Sequence, residues 1–182
     1  EHLQSDINQM IYKGAQERER LPAAEYALSM RDGARGVYSF CMCPGGEVVG
    51  AASEEGGVVV NGMSNSRRDG RNANAALAVS VLPEDFSADC RRAIEFQRTL
   101  EHAAFIAGGE SYACPLQTVG DFLYDSCKAE PSRVLPTYLG GFYKTCNLKK
   151  VLPPFVATML SNGIRFFGRR YSGFDMPQAL LC

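Results

Sequence analysis

Between residues 37 and 82, four short runs of alternating apolar and small or polar residues are separated by glycine-rich breaks, and this pattern restricts the fold more than any other. The runs cover 37–42, 47–52, 58–60 and 76–82, each with the two-residue period of a half-buried strand. Pro44-Gly45-Gly46 is short enough to close a hairpin between the first two, and Gly56-Gly57 between the next two, because glycine enters the positive-φ conformations that tight turns require. Connections this short join antiparallel neighbours, since parallel ones need a crossover of a dozen or more residues. A further strand is expected over 26–30, with RDGARG turning the chain into the first of the four. The third break, NGMSNSRRDGRNAN at 61–74, is longer and polar, and reads as a loop presenting Arg67, Arg68 and Arg71 beside Asn61, Asn65, Asn72 and Asn74.

Helices flank this sheet. Leu3, Ile7, Met10 and Ile11 lie at helical spacing and predict a helix over 2–13 stopped by Gly14, followed by a charged, proline-broken connector at 15–23. Ser87 as N-cap and Asp89 in the first turn open a long helix that runs to Ala107 and ends at Gly108-Gly109. A short helix is expected over 118–126, an irregular ordered loop over 128–148, and a last helix from Pro153-Pro154 through Phe167, stopped by Gly168. Together these give one α+β domain over 1–182: a largely antiparallel sheet of about five strands with helices packed to one side or end.

The chain is 46% hydrophobic and 21% charged with a net charge of −1, the composition of an ordinary soluble domain without an electrostatic reason to bind nucleic acid or an acidic membrane. Its apolar runs fall short of the roughly 20 residues that cross a bilayer, and no secretory leader is expected. Seven scattered cysteines form no disulfide framework, so a reducing cytoplasm is expected. Cys41 and Cys43, two apart on a strand, share a face. They read either as small apolar residues of a half-buried strand or as half of a metal site, for which the two further ligands are missing; no metal is expected.

The segments CMCPGGEVVGAASEEGGVVVNGMSNSRRDGRNAN at 41–74 and IEFQRTLEHAAFIAGGESYACPLQTVGDFL at 94–123 resemble, in order, the segment inserted into the FAD-binding domain of a bacterial family of uncharacterised FAD-dependent dehydrogenases. The resemblance implies a fragment of a larger FAD-dependent oxidoreductase, whose insert covers the substrate side of the flavin and partners the FAD-binding domain of the same polypeptide. No strand, GxGxxG, helix arrangement occurs in these residues, so FAD is expected in the full-length protein, none in this fragment, and no activity from the fragment alone. The small-molecule substrate is not readable from the residues.

A flavin supplies the redox chemistry and the protein orients substrate against it. Arg67, Arg68 and Arg71 can grip a substrate carboxylate or phosphate, or form a solvated loop. Asn61, Asn72 and Asn74 can orient substrate or simply make turns. Gly45 and Gly46 can admit the flavin to the backbone or serve the hairpin alone. Tyr38, Tyr112, Tyr138 and Tyr143 are stacking groups, proton donors or packing, and His102 is a helix-surface histidine or a base with a partner yet to be found. Two other readings are a thiol enzyme with Cys41 as nucleophile and an interaction module using the aromatic loop at 135–143.

Overall fold

A long helix with two buried faces holds the two halves of the structure together in the computed structural model, which describes residues 1–16 and 20–182. This helix, here α4 (Pro154–Arg170), is preceded in chain order by α1 (Gln4–Ile11), α2 (Cys90–Ala107) and α3 (Val119–Tyr124). The strands are β1 (His2–Leu3), β2 (Ser29–Asp32), β3 (Arg35–Cys43), β4 (Gly46–Gly50), β5 (Val60–Ser64), β6 (Asn72–Val79), β7 (Cys114–Thr118), β8 (Tyr143–Thr145) and β9 (Leu180–Leu181). One face of α4 places Met159 and Phe167 against Leu28, Val37 and Phe174; the other packs Ala157 and Ile164 on Val119, Phe122, Leu148 and Ala179. Each such large apolar side chain taken fully out of water stabilises the fold by roughly 1.5–3 kcal/mol. Gly163 lets α4 approach β3, because a Cβ there would lie 2.8 Å from Val37 Cγ1. Gly168, expected as a stop, is instead inside the helix, which continues to Arg170; a Cβ there would lie 2.1 Å from Asp175 Cγ, so the position suits glycine by close packing.

The α+β class and the dominance of antiparallel pairing hold, but the strands divide among three sheets. β1, β6, β3 and β2 form one in that order, all antiparallel; β4 and β5 form a separate pair; β7 lies between β8, which is parallel to it, and β9, which is antiparallel. Pro44-Gly45-Gly46 therefore does not close a hairpin. Gly45 takes φ +54°, its N–H donates to Gln4 Oε1 at 2.7 Å, and the loop after β5 crosses it so closely that a Cβ would sit 2.2 Å from the Arg68 carbonyl oxygen. The turn is pinned under that loop and α1, which sends β4 away from β3 to pair with β5.

Other boundaries shift for identifiable reasons. β1 precedes α1 because His2 and Leu3 pair with Ala73 and Asn72 at the edge of the first sheet. The expected connector at 15–23 lies partly outside the described residues. Ser87 caps the end of a short 3-10 turn, Pro83–Phe86, at φ 59°, and Asp89 is the N-cap of α2, accepting from the Arg91 N–H at 2.9 Å. β7 passes through Pro115, which tolerates the missing N–H because β9 reaches only Gln117 and Thr118 and leaves that side of Pro115 without a strand neighbour. Its β8 partner comes from the stretch expected to be irregular. Among the described residues no helix is long and apolar enough to cross a membrane.

Candidate functional site

Half of the polar break expected at 61–74 is strand. β5 takes its first residues, β6 its last, and only 65–71 remain a connection. Asn61 and Asn74 thereby come to face one cleft of about 460 Å³, which opens between the β4–β5 pair, β6, α2 and the apolar wall built by α3 and α4. Valines 58–60, Leu77, Leu100 and Leu160 make most of its surface apolar.

Asn74 is the most constrained polar group there. It is 5% exposed, and its Nδ2 has no hydrogen-bond partner. A Cβ at position 62 would lie 2.1 Å from Asn74 Oδ1 and 3.1 Å from Cys43 Sγ, so the asparagine oxygen occupies the space above Gly62 that any other residue would fill. Glycine Cα–H groups are weak donors that favour an oxygen over an N–H. The amide nitrogen is consequently the unpaired end, buried at the edge of the cleft. The NGMS and NAN segments are thus two halves of one feature: the first supplies the bare backbone, the second the amide that rests on it.

The neighbouring asparagines do different work. Asn61 is exposed at the cleft, where its Oδ1 accepts from the Gly62 N–H at 2.8 Å. Asn72 turns away, its Nδ2 donating to the Leu135 carbonyl at 2.8 Å and ranging 3.4 Å from Glu1 Oε1, which ties β6 to the loop at 135–143. Its Oδ1 is buried and unpaired. Gly45 and Gly46 are buried, Gly45 beneath Arg68 and Gly46 against the Met63 carbonyl, where a Cβ would come within 2.7 Å.

None of the three loop arginines lines the cleft. Arg68 lies 3.5 Å from Glu25 in an exposed ion pair, Arg71 donates to the Arg133 carbonyl at 3.1 Å, and Arg67 is exposed without a partner among the described residues. No lysine or arginine appears anywhere in the described lining, which instead includes Glu1, Glu101 and His2. His2 Nε2–H donates to the Phe174 carbonyl at 2.8 Å, and burial pushes its pKa down to about 4, so the ring is neutral at pH 7.

One wall was not legible as part of a site. α2 reads in sequence as an ordinary amphipathic helix, yet it has no buried residue and turns Leu100, Glu101 and Ala104 toward the cleft. The 51–59 connection is fastened to it: Arg98 grips Glu54 with both Nε and Nη2, the Val58 N–H donates to the Glu101 carbonyl at 3.0 Å, and His102 Nδ1–H donates to the Gly56 carbonyl at 2.9 Å. His102 is thus a fastening group for that connection. Gly56 also donates to the Tyr112 hydroxyl at 3.1 Å. Tyr138 is buried and donates to the Tyr112 carbonyl, while Tyr38 is exposed.

Cys41 borders the cleft at a β-bulge with φ 45°, where the register shifts between Phe40 and Cys43. The bulge breaks the alternation that would have put the two thiols on one face, and Cys43 Sγ instead donates to the Cys41 carbonyl at 3.3 Å. Among the described residues no group of three or more His, Cys, Asp or Glu is placed to hold a metal ion. Cys114, buried in the far wall, has its thiol pushed well above the usual range by its hydrogen bond with the Cys182 thiol and by burial.

A family model described as "FAD-dependent protein, C-terminal domain-like" matches residues 1–182. A protein of Clostridium beijerinckii described as "Uncharacterized protein" is 46% identical over 184 aligned residues, covering 100% of this chain and 34% of the relative. The chain therefore spans about a third of the length of the curated relative it matches.

Proposed function

The chain belongs to the family of FAD-dependent proteins with this C-terminal-domain-like region, and from that premise we propose that it forms the substrate-side domain of a larger flavin-dependent oxidoreductase. The observation that carries the reading is the 460 Å³ apolar cleft with a single buried amide donor, Asn74 Nδ2, left unpaired. Pockets that orient a small molecule combine a mainly apolar wall with a few convergent polar groups, and a buried donor without a partner costs about 1–3 kcal/mol unless a ligand or water satisfies it.

The residues fit a flavin ring edge or the substrate against it, and do not fit the dinucleotide part. Asn74 and Asn61 offer amides at the polar end of the cleft, whereas the glycines of the Pro44-Gly45-Gly46 turn are filled by the chain's own packing and leave no cradle for a pyrophosphate. When bound, FAD supplies the hydride-accepting ring. The domain's own part is to orient the substrate and exclude water from it.

The FAD-binding region of the same polypeptide is the proposed partner, in keeping with a relative about three times as long. The loop at 135–143 supports an accompanying contact role, because Leu139 is 64% and Phe142 45% exposed beside the buried Tyr138. The test is the purified full-length protein: flavin absorbance bands, then a substrate screen that follows their bleaching under exclusion of air. A full-length protein that purifies without flavin and does not take it up would remove the proposal.

A further inference from the structure

The charge and polarity of the cleft narrow the ligand further, on the assumption that the cleft is the substrate side described above. We propose that it takes a neutral, mainly apolar molecule carrying one hydrogen-bond acceptor, a ketone or amide carbonyl being the simplest, and that it rejects anions.

Three observations carry this. The described lining holds no lysine or arginine, and the three arginines of the 65–71 connection stay outside it. An anion entering an apolar cleft would lose its hydration without gaining a counter-charge, which costs far more than desolvating a neutral carbonyl. The charged groups that do border the cleft are acidic. Glu1 is held in place by the Thr137 N–H at 3.1 Å and the Thr137 hydroxyl, and Glu101 accepts from Gln97 Nε2 at 2.8 Å. Glu101 repels a carboxylate or phosphate, and His2, neutral at pH 7, offers no compensation.

The third observation is the orientation of Asn74. With Oδ1 resting over Gly62, the unpaired Nδ2 presents a donor, so the complementary ligand atom is an acceptor. A ligand hydroxyl acting only as donor, or an ammonium, has no mate at that point. The amide is fixed by the close fit at Gly62, and because Nδ2 is itself buried a ligand acceptor reaches it through a small opening of the lining around it.

The experiment uses the full-length protein and two environment-sensitive naphthalene probes: Prodan, a neutral ketone, and anilinonaphthalene sulfonate, an anion of similar bulk. Prodan is expected to bind with blue-shifted emission and at least tenfold more tightly than the sulfonate. Asn74→Asp, which exchanges the donor for a carboxylate of the same shape, is expected to weaken Prodan by about tenfold, the loss of one hydrogen bond at a buried site. Should that variant misfold, the contrast between the two probes on the unaltered protein still decides. Equal or tighter binding of the sulfonate overturns the proposal, as does a flavin-containing protein that binds neither probe, which would show the cleft filled by the rest of the chain. A protein that prefers Prodan but contains no flavin leaves the ligand class standing and removes the oxidoreductase reading instead.

Discussion

Acidification should weaken this protein before its carboxylates are protonated, through His2. The ring is 7% exposed, lies tilted by 33° against Phe174 at 5.2 Å between ring centres, and donates Nε2–H to the Phe174 carbonyl. Burial, and after it the charge of the amino group at Glu1, lowers its pKa from 6.5 to about 4. Between those values the unfolded chain holds a proton that the folded chain refuses, so protonation favours unfolding; the contribution is present above pH 6.5 and lost as pH falls toward 4. A gap of about 2.5 at roughly 1.4 kcal/mol each sets the whole effect at about 3 kcal/mol, of which about 2 is lost between pH 7 and pH 5. For a chain of this size that corresponds to a fall in Tm of about 4–8 °C. Asp85, its carboxylate pKa depressed chiefly by hydrogen bonds from Arg35, and Asp121, lowered by backbone and Ser126 donors that outweigh its burial, lose their contributions at more acidic pH, outside this window. Urea unfolding at pH 7 and pH 5, on the wild type and on His2→Gln, measures the term. The variant starts less stable but should lose much less between the two pH values. Equal losses in both proteins would show that His2 titrates normally in the fold and that the reasoning from burial is wrong.

Gly62→Ala is expected to destabilise the fold by about 1–3 kcal/mol, because the new methyl must displace Asn74; Prodan affinity should fall with it, and an unchanged denaturation midpoint would contradict the close fit. Gly163→Ala gains about 1 kcal/mol in helix propensity but forces a methyl onto the buried Val37, so the balance is a net loss of up to about 2 kcal/mol; a raised urea midpoint would show that β3 yields. In a native alkylation time course read by mass spectrometry, the exposed Cys41, Cys90 and Cys127 should react first, and Cys114, buried and held as the thiol, only on unfolding; early modification of Cys114 would place it on an open surface. Replacing Arg67, Arg68 or Arg71 singly by lysine should leave Prodan affinity within about twofold, as expected for exposed charges outside the lining; a larger loss would bring that connection into the site.

Periodicity and glycine chemistry by themselves determined the element types: strands through 37–82, the long helix after Asp89 and the helix that begins at Pro154, each a matter of local spacing and backbone preference. They read 61–74, which holds NGMS and NAN, as one polar loop. What those segments do was decided by tertiary structure, because Gly62 and Asn74 sit on strands of different sheets and acquire meaning only when one backbone is laid against the other side chain. The same limit hid the division into three sheets. A proline and two glycines specify a reversal, but whether the strands on either side pair depends on Gln4 and the Arg68 backbone, which are distant in sequence and close over Gly45. β7 escaped notice because its partners arrive from 143–145 and 180–181, and a strand that borrows its hydrogen bonds from so far away carries little local signal. Local propensity acts over a few residues, whereas burial and charge in the cleft are sums over elements brought together by folding. That is why the arginines, conspicuous in the sequence, lie outside the cleft, and an inconspicuous glycine and asparagine define its polar end.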